Sequence, residues 1–235
     1  MLHPPVNTTT RSAPTDAVTV SAALEEDFKN FILNTQHPCL GAKSAFNNDA
    51  YRIKCYSALG TATTTEPLAA DLSQFIQDRP TMNGEFTTFI AIFDKPLSTT
   101  EVQFEQLLWQ QLDLLHRLDD QPWDSAASPN PEHNNFGFSF GGTAFFVVGM
   151  HANSSRLARQ FSHPVLVFNA HDQFEQLRAN GKFQKMRKVI RRRDKAWQGT
   201  VNPMMADFGT VSEARQYSGR AVSPEWKCPF HPQPA

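Results

Sequence analysis

Residues 136–148 read FGFSFGGTAFFVV, and this stretch decides the fold. Two short apolar runs, 136–140 and 143–148, flank the pair Gly141 and Gly142. Two glycines between strand-like runs predict a β-hairpin, because glycine adopts the left-handed backbone that tight hairpin turns require. A hairpin demands antiparallel pairing. The stretch therefore favours an α+β fold with a mainly antiparallel sheet over a doubly wound parallel fold.

Further strands and helices are predicted on both sides of this hairpin. Alternating or apolar runs predict strands over 51–59, 86–93 and 165–168. Apolar residues at helical spacing predict helices over 21–33, 67–78, 99–118, 173–179 and 183–197. Ser98 and Glu101 form the S-x-x-E pattern of a capping box at the start of the third of these helices.

The composition is that of a globular protein with one domain. The chain has 235 residues, of which 40% are hydrophobic and 19 are Phe, enough for a substantial core. Residues 1–20 are rich in Thr, Pro and Ser, which predicts a disordered N-terminal tail. Residues 21–235 are expected to form a single domain, since no long linker interrupts them.

The sequence predicts a cytoplasmic protein. No apolar run approaches the roughly 20 residues of a membrane span, and the N-terminus has no pattern of a secretion signal. The three cysteines are an odd number at scattered positions. This argues against a disulfide framework and for a reducing compartment.

Charge is distributed unevenly along the chain. Residues 1–150 carry 8 Lys/Arg and 17 Asp/Glu, whereas residues 151–195 carry 11 and 3. Residues 151–195, which we call the basic block, carry enough positive charge to bind an anion or an acidic partner. Alternatively, they neutralise the acidic half of the chain, residues 1–150, within one fold. The basic block lacks aromatic interleaving and any nucleic-acid motif, so no nucleic-acid binding is expected.

The first candidate site is His151 with Arg156 and Arg159. The histidine is expected on a turn after the strand 143–148, where its ring could project into a pocket. Iron in a porphyrin takes an imidazole as ligand, and the propionates take cations such as arginines. The alternative is a hydrogen-bonded surface histidine beside arginines that pair with the acidic half of the chain.

A second candidate is Cys228, followed by Pro229, Phe230 and His231. A thiolate there could ligate haem iron and push electron density toward bound oxygen. A Cys and a His three residues apart could also form half of a zinc site, but the sequence offers no second half.

A third candidate is the segment 212–220, SEARQYSGR, which is unusually polar for a loop. The carboxylate of Glu213 could hold a cationic or guanidinium substrate. The alternative is a polar network in which Glu213 pairs with Arg215 or Arg220 and ties the tail to the core. Three further polar residues could join either version, namely Asn169, Asn202 and Asp207.

Eight short motifs, which keep their order along the chain, resemble the YqcI/YcgG family, which includes the haem-dependent N-hydroxylase of guanitoxin biosynthesis. They are HPCLGAK (37–43), DDQPW (119–123), FSFGG (138–142), FFV (145–147), HANSSRLAR (151–159), FNAHDQFEQLR (168–178), IRRRD (190–194) and WKCPF (226–230).

The resemblance implies a haem-dependent monooxygenase that hydroxylates a guanidino or amino nitrogen, using O2 and an external electron donor. One non-covalent haem b is expected, because the chain has no C-x-x-C-H. By position in the motifs, His151 is the preferred axial ligand and Cys228 its rival, and Glu213 pairs with a cationic substrate. The expected cofactor-binding cations are Arg156, Arg159 and Arg215.

Two other function classes remain open from the sequence. One is a haem-binding sensor or carrier without turnover. The other is a metal-free interaction protein whose basic block docks an acidic partner.

Overall fold

The computed structural model describes residues 15–204 and 210–232. Within them a five-stranded sheet is packed with helices on both faces, which confirms the predicted α+β class. Strands β1 to β5 span Tyr51–Ala58, Thr88–Lys95, Phe138–Phe140, Thr143–Met150 and Val165–Ala170. Helices α1 to α7 span Thr15–Leu33, Leu40–Asn47, Ala62–Asp78, Glu101–Leu118, His171–Ala179, Lys182–Gln198 and Ala214–Tyr217.

The sheet is mixed but mainly antiparallel. Its strand order is β1-β2-β5-β4-β3; β1 and β2 run parallel, and the other three pairs run antiparallel. The predicted hairpin is confirmed as β3 and β4, with Gly141 and Gly142 at φ 57° and 68° in its turn. None of the described helices is long and apolar enough to cross a membrane.

One face of the sheet carries the larger core. Phe89 on β2, Phe168 on β5 and Val147 on β4 stand side by side in register and are fully buried. They belong to one apolar cluster with the buried sides of α3 and α4, to which Cys228 and Phe230 near the C-terminus also belong. We call this surface, centred on Phe89, Val147 and Phe168, the closed face.

The alternate residues of the same strands point to the other side of the sheet. Ile90, Val167 and Val148 are aligned there, and Phe28 and Ile32 of α1 cover part of this surface. Helices α2 and α6 stand over the rest and leave a cavity beneath them. We call this surface, centred on Ile90, Val148 and Val167, the open face.

Two helices begin at least five residues earlier than predicted. Helix α1 begins at Thr15 rather than at residue 21, and residues 1–14 of the predicted tail lie outside the described part of the chain. Helix α3 begins at Ala62 rather than at Pro67, so the proline lies in its second turn. Proline cannot donate a backbone hydrogen bond at this position. The burial of the apolar side of α3 offsets the stability that is lost with this bond.

The predicted capping box of Ser98 and Glu101 is wrong. The box at the start of α4 is formed by Thr100 and Gln103, whose backbone amides donate to each other's side-chain oxygens at 2.9 and 3.2 Å. The Glu101 carboxylate instead accepts from the backbone N and Oγ of Ser155, in the loop after β4, at 2.9 and 2.8 Å. The side chain of Glu101, which the local pattern assigned to the cap, therefore makes a tertiary contact instead.

Candidate functional site

A cavity of about 280 Å³ lies between the open face and helices α1, α2 and α6. An apolar cavity with a few polar groups is typical of a site for a small molecule or a cofactor. Most of its wall is apolar, with contributions from Ile90, Val148, Met150 and Val167 of the sheet and Phe183, Met186 and Ile190 of α6.

Arg159 places a cation in this cavity. Its guanidinium donates to the backbone carbonyls of Gly149, Tyr217 and Gln216 at 2.9, 3.3 and 3.2 Å. Burial lowers the pKa of Arg159 to about 10, so it remains charged at neutral pH. No described carboxylate forms an ion pair with it. The cavity therefore contains a fixed positive charge that a bound anion could neutralise.

Arg156 also lines the cavity, but its charge is already neutralised. Its Nη2 lies 2.6 Å from Oδ2 of Asp194 on α6, and both side chains are less than a tenth exposed. The same guanidinium donates to Oγ1 and the carbonyl of Thr200, both at 3.0 Å. Arg156 therefore fastens the loop after β4 to α6, which leaves Arg159 as the member of the predicted Arg156 and Arg159 pair without a carboxylate partner among the described residues.

Cys39 lines the cavity from the start of α2. It is the N-cap of this helix, and its Sγ accepts a hydrogen bond from the backbone N of Ala42 at 3.4 Å. Amides at a helix start favour a thiolate. Burial nevertheless raises the pKa of the Cys39 thiol, so the thiol is protonated in the absence of a metal. A bound metal ion would displace this proton.

His37 lies beside Cys39 in the same wall and is 3% exposed. Its Nδ1 accepts from the backbone N of Cys39 at 3.4 Å, which leaves Nε2 as the protonated nitrogen that donates to the carbonyl of Ala158 at 3.2 Å. Burial lowers the pKa of His37 to about 4, so the imidazole is neutral. Both nitrogens are engaged, and His37 therefore positions the Cys39 segment.

Glu213 brings a carboxylate to the rim of the cavity. Its Oε2 lies 3.0 Å from Nε2 of His171, the first residue of α5, and both side chains are 13% exposed. Gly137 makes room for this imidazole, since a Cβ there would lie 2.5 Å from Cε1 of His171. Glu213 is therefore partnered by His171 rather than by Arg215 or Arg220.

His151 lies on the closed face, which corrects its expected position in a pocket. Strand β4 continues to Met150, so alternation points Met150 into the cavity and His151 away from it. The imidazole stacks on Phe104 of α4 with ring centroids 4.4 Å apart, and its Nδ1 lies 3.4 Å from Oγ1 of Thr99. Burial lowers the pKa of His151, so the ring is neutral.

Cys228 is also buried away from the cavity. It is 2% exposed within the core of the closed face, near Phe230 and Trp109. Burial raises the pKa of Cys228 to about 12, so it is a neutral thiol. Cys228 does not line the cavity, and its surroundings are those of a structural thiol.

The polar segment 212–220 is divided between the cavity and the core. Arg215 donates to the carbonyls of Trp226 and Ser223 and lies over the Trp226 ring, so it ties down the C-terminal segment. Arg220 forms an ion pair with Glu105 of α4. Asp207 lies outside the described residues, whereas Asn169 and Asn202 line the cavity.

The sequence prediction missed Cys39 and His37 as site residues. The motif HPCLGAK (37–43) contributes to the family resemblance, but the sequence assigns no site role to its residues. Helix α2 was not predicted, because its eight residues include Gly41 and begin with a cysteine cap, which is outside the usual set of Ser, Thr, Asp and Asn. A cysteine directly before a short apolar helix was the available signal.

These features define an α+β protein with a cavity of about 280 Å³ on one face of its sheet. The sequence model of the YqcI/YcgG family matches residues 28–231, and the chain therefore belongs to the YqcI/YcgG family. The proteins YcgG and YqcI of Bacillus subtilis (strain 168), both named as uncharacterized, are each 28% identical to it over 204 residues. Each match covers 82% of this chain and 80% of the relative. No solved structure matches the chain.

Proposed function

We propose that this protein is a haem-dependent oxygenase that hydroxylates a nitrogen of a small cationic substrate, a guanidine or an amine. It would use O2 and an external electron donor in the cytoplasm, where its three free thiols stay reduced. The observation that carries the proposal is the cavity on the open face. This cavity combines an apolar wall with three polar lining residues, the thiol-bearing Cys39, the cationic Arg159 and the acidic Glu213.

The chemistry of these groups fits a haem b. A haem needs an axial ligand for its iron, cations for its propionates and apolar surface for its ring. Among the described residues no group of three or more His, Cys, Asp or Glu could hold a metal ion, but haem iron needs only one or two protein ligands. Small-molecule pockets span about 300–1,000 Å³. The cavity, at about 280 Å³, therefore has to widen when a haem binds.

Cys39 and Arg159 are the residues that would hold the group. When bound, the haem supplies the activation of O2. Cys39 would bind the iron, since it lines the cavity and the start of α2 favours the thiolate. Arg159 would bind a propionate, since three backbone carbonyls fix its guanidinium in place. In this proposal Cys39 replaces His151 and Cys228 as the preferred ligand, because neither of those lines the cavity.

Glu213 would bind the substrate cation at the rim. A carboxylate can hold a guanidinium through two parallel hydrogen bonds, and loss of such a buried partner costs about 2–5 kcal/mol. His171 positions the carboxylate from its 3.0 Å contact with Oε2. We expect Glu213→Gln to weaken substrate binding by roughly 30-fold or more. The fully exposed Glu225 provides a matched control, Glu225→Gln, which should bind substrate normally.

The cofactor is tested by expression with added haem, followed by absorption spectroscopy and pyridine extraction. One haem per chain is expected, and a colourless protein would contradict the proposal. Guanidines and amines titrated against the Soret band in wild type, Glu213→Gln and Glu225→Gln then test the substrate site. Equal affinities in all three would make Glu213 structural. N-hydroxylated product formed with reductant and O2 separates an oxygenase from a haem carrier or sensor.

A further inference from the structure

Helix α6 has two sides of different chemistry. Helical residues are spaced by about 100° around the axis, so residues half a turn apart face opposite directions. The inner side lines the cavity through Phe183, Met186, Arg187, Ile190 and Asp194. The opposite side carries four exposed cations, which we call the outer stripe: Lys185, Lys188, Arg192 and Lys195.

The outer stripe is not neutralised by the rest of the protein. None of its four side chains forms an ion pair with a described carboxylate. By contrast, Lys182 at the start of α6 pairs with Glu85, and Arg156 pairs with Asp194. Neutralisation of the acidic half therefore accounts for part of the basic block but leaves the outer stripe unpaired. Like charges three and four residues apart destabilise a helix slightly, and an acidic partner would relieve this repulsion.

We infer that the outer stripe is the docking surface for an acidic electron-transfer protein. This inference rests on the proposed function. Hydroxylation of an N–H by O2 consumes two electrons and two protons and yields N–OH and water, and the electrons come from an external carrier. An α-helix with its side chains is about 10–12 Å across. A carrier docked on the outer stripe is thus separated from the cavity by a single helix.

The charge of the outer stripe determines the chemistry of this partner. A patch of one sign attracts a partner of opposite sign and accelerates their encounter, and salt weakens the attraction. A [2Fe–2S] ferredoxin of the plant type and a flavodoxin are suitable probes, since both are small acidic carriers.

The test compares two double charge reversals of equal net charge. The first, Lys185→Glu with Lys188→Glu, changes the outer stripe. The control, Lys54→Glu with Lys95→Glu, changes exposed lysines on β1 and β2. Affinity for the purified ferredoxin and flavodoxin is measured by fluorescence anisotropy at low and at physiological salt. We expect the outer-stripe variant to weaken binding by about tenfold or more, and the control to weaken it by less than about twofold.

Each outcome decides the inference. Equal weakening in both variants, or no saturable binding of either carrier, would overturn it. Tight binding of RNA that only the outer-stripe variant loses would also overturn it, and would assign the surface to nucleic acid. In haem-loaded protein, reduction by ferredoxin should slow in the outer-stripe variant, whereas reduction by dithionite should not change. A missing Soret band in wild type refutes the proposed function, whereas haem without carrier binding refutes only the docking surface.

Discussion

The two faces of the sheet differ in how completely they are covered. On the closed face, α3, α4 and the C-terminal residues fill the space over Phe89 and Phe168 with aromatic and aliphatic side chains. On the open face, α2 and α6 stand away from Ile90 and Val148 and leave a cavity of about 280 Å³. The same strands thus provide stability on one side and a binding site on the other. This separation explains why the ligands first expected, His151 and Cys228, lie in the core.

The largest expected difference between the faces is in stability. Phe168→Ala removes a fully buried ring that contacts Phe89, Phe138 and Phe145, and should lower the free energy of unfolding by about 4 kcal/mol. Met186→Ala removes a partly buried side chain at the cavity and should cost roughly 1 kcal/mol. Urea unfolding of the haem-free protein measures both. Similar losses would mean that the open face is as tightly packed as the closed face.

The ion pair of Arg156 and Asp194 joins the loop after β4 to the open face. Asp194→Ala leaves the arginine buried without a counter-charge and should cost about 3 kcal/mol. Replacement of both residues by Met and Leu should cost less than this single change. The control is Asp113→Ala, which breaks the exposed pair with Arg117 and should cost about 0.5 kcal/mol. A small effect of Asp194→Ala would show that solvent reaches the pair.

The next effect is a pH dependence of the folding stability, which comes from His37 in the cavity wall on the open face. The pKa of His37 is about 4 in the folded protein, against an ordinary value of 6.5. The unfolded chain therefore binds a proton that the folded protein binds only at lower pH. The stability from this difference is fully present above pH 6.5 and is lost as the pH falls toward 4. It amounts to about 2 kcal/mol between about pH 7.5 and pH 5.

Urea unfolding at the two pH values checks this prediction. His37→Gln should remove about 2 kcal/mol from the pH dependence, whereas His163→Gln, which changes a histidine that does not line the cavity, should leave it as in wild type. The same pH dependence in wild type and His37→Gln would mean that folding does not shift the pKa of His37.

Much of the fold is predictable from local pattern. All five strands and five of the seven described helices, at least in their central turns, follow from apolar periodicity, and the Gly141–Gly142 turn fixes the antiparallel pairing. The capping residues of α4 and the first turn of α3 were wrong because tertiary contacts decided them. Helices α2 and α7 are missing from the prediction because eight and four residues carry too little periodicity.

The site was harder to predict because alternate residues of a strand face opposite sides of the sheet, so a small error in where β4 ends changes which side chains are expected in the cavity. The sequence ends β4 at Val148, but the strand continues to Met150. With a side-chain period of two, one residue determines whether His151 or Met150 faces the cavity. Arg156 and Asp194, which form a buried ion pair, are 38 residues apart in the chain, so no local sequence pattern reveals their pairing. Arg159 and Glu213, which the sequence singles out from their polar surroundings, both line the cavity, and their roles there stay predictions.

The most direct test of the account is the axial ligand of the haem. Haem-loaded wild type is compared with Cys39→Ser, Cys228→Ser and His151→Ala, each reduced and exposed to carbon monoxide. Ligation by Cys39 predicts a red-shifted Soret band typical of a thiolate, because a thiolate donates more electron density to iron than an imidazole does. Cys39→Ser should lose this band while the other two variants keep it. A native spectrum in Cys39→Ser, with loss in His151→Ala or Cys228→Ser, would place the iron on the closed face and contradict the account.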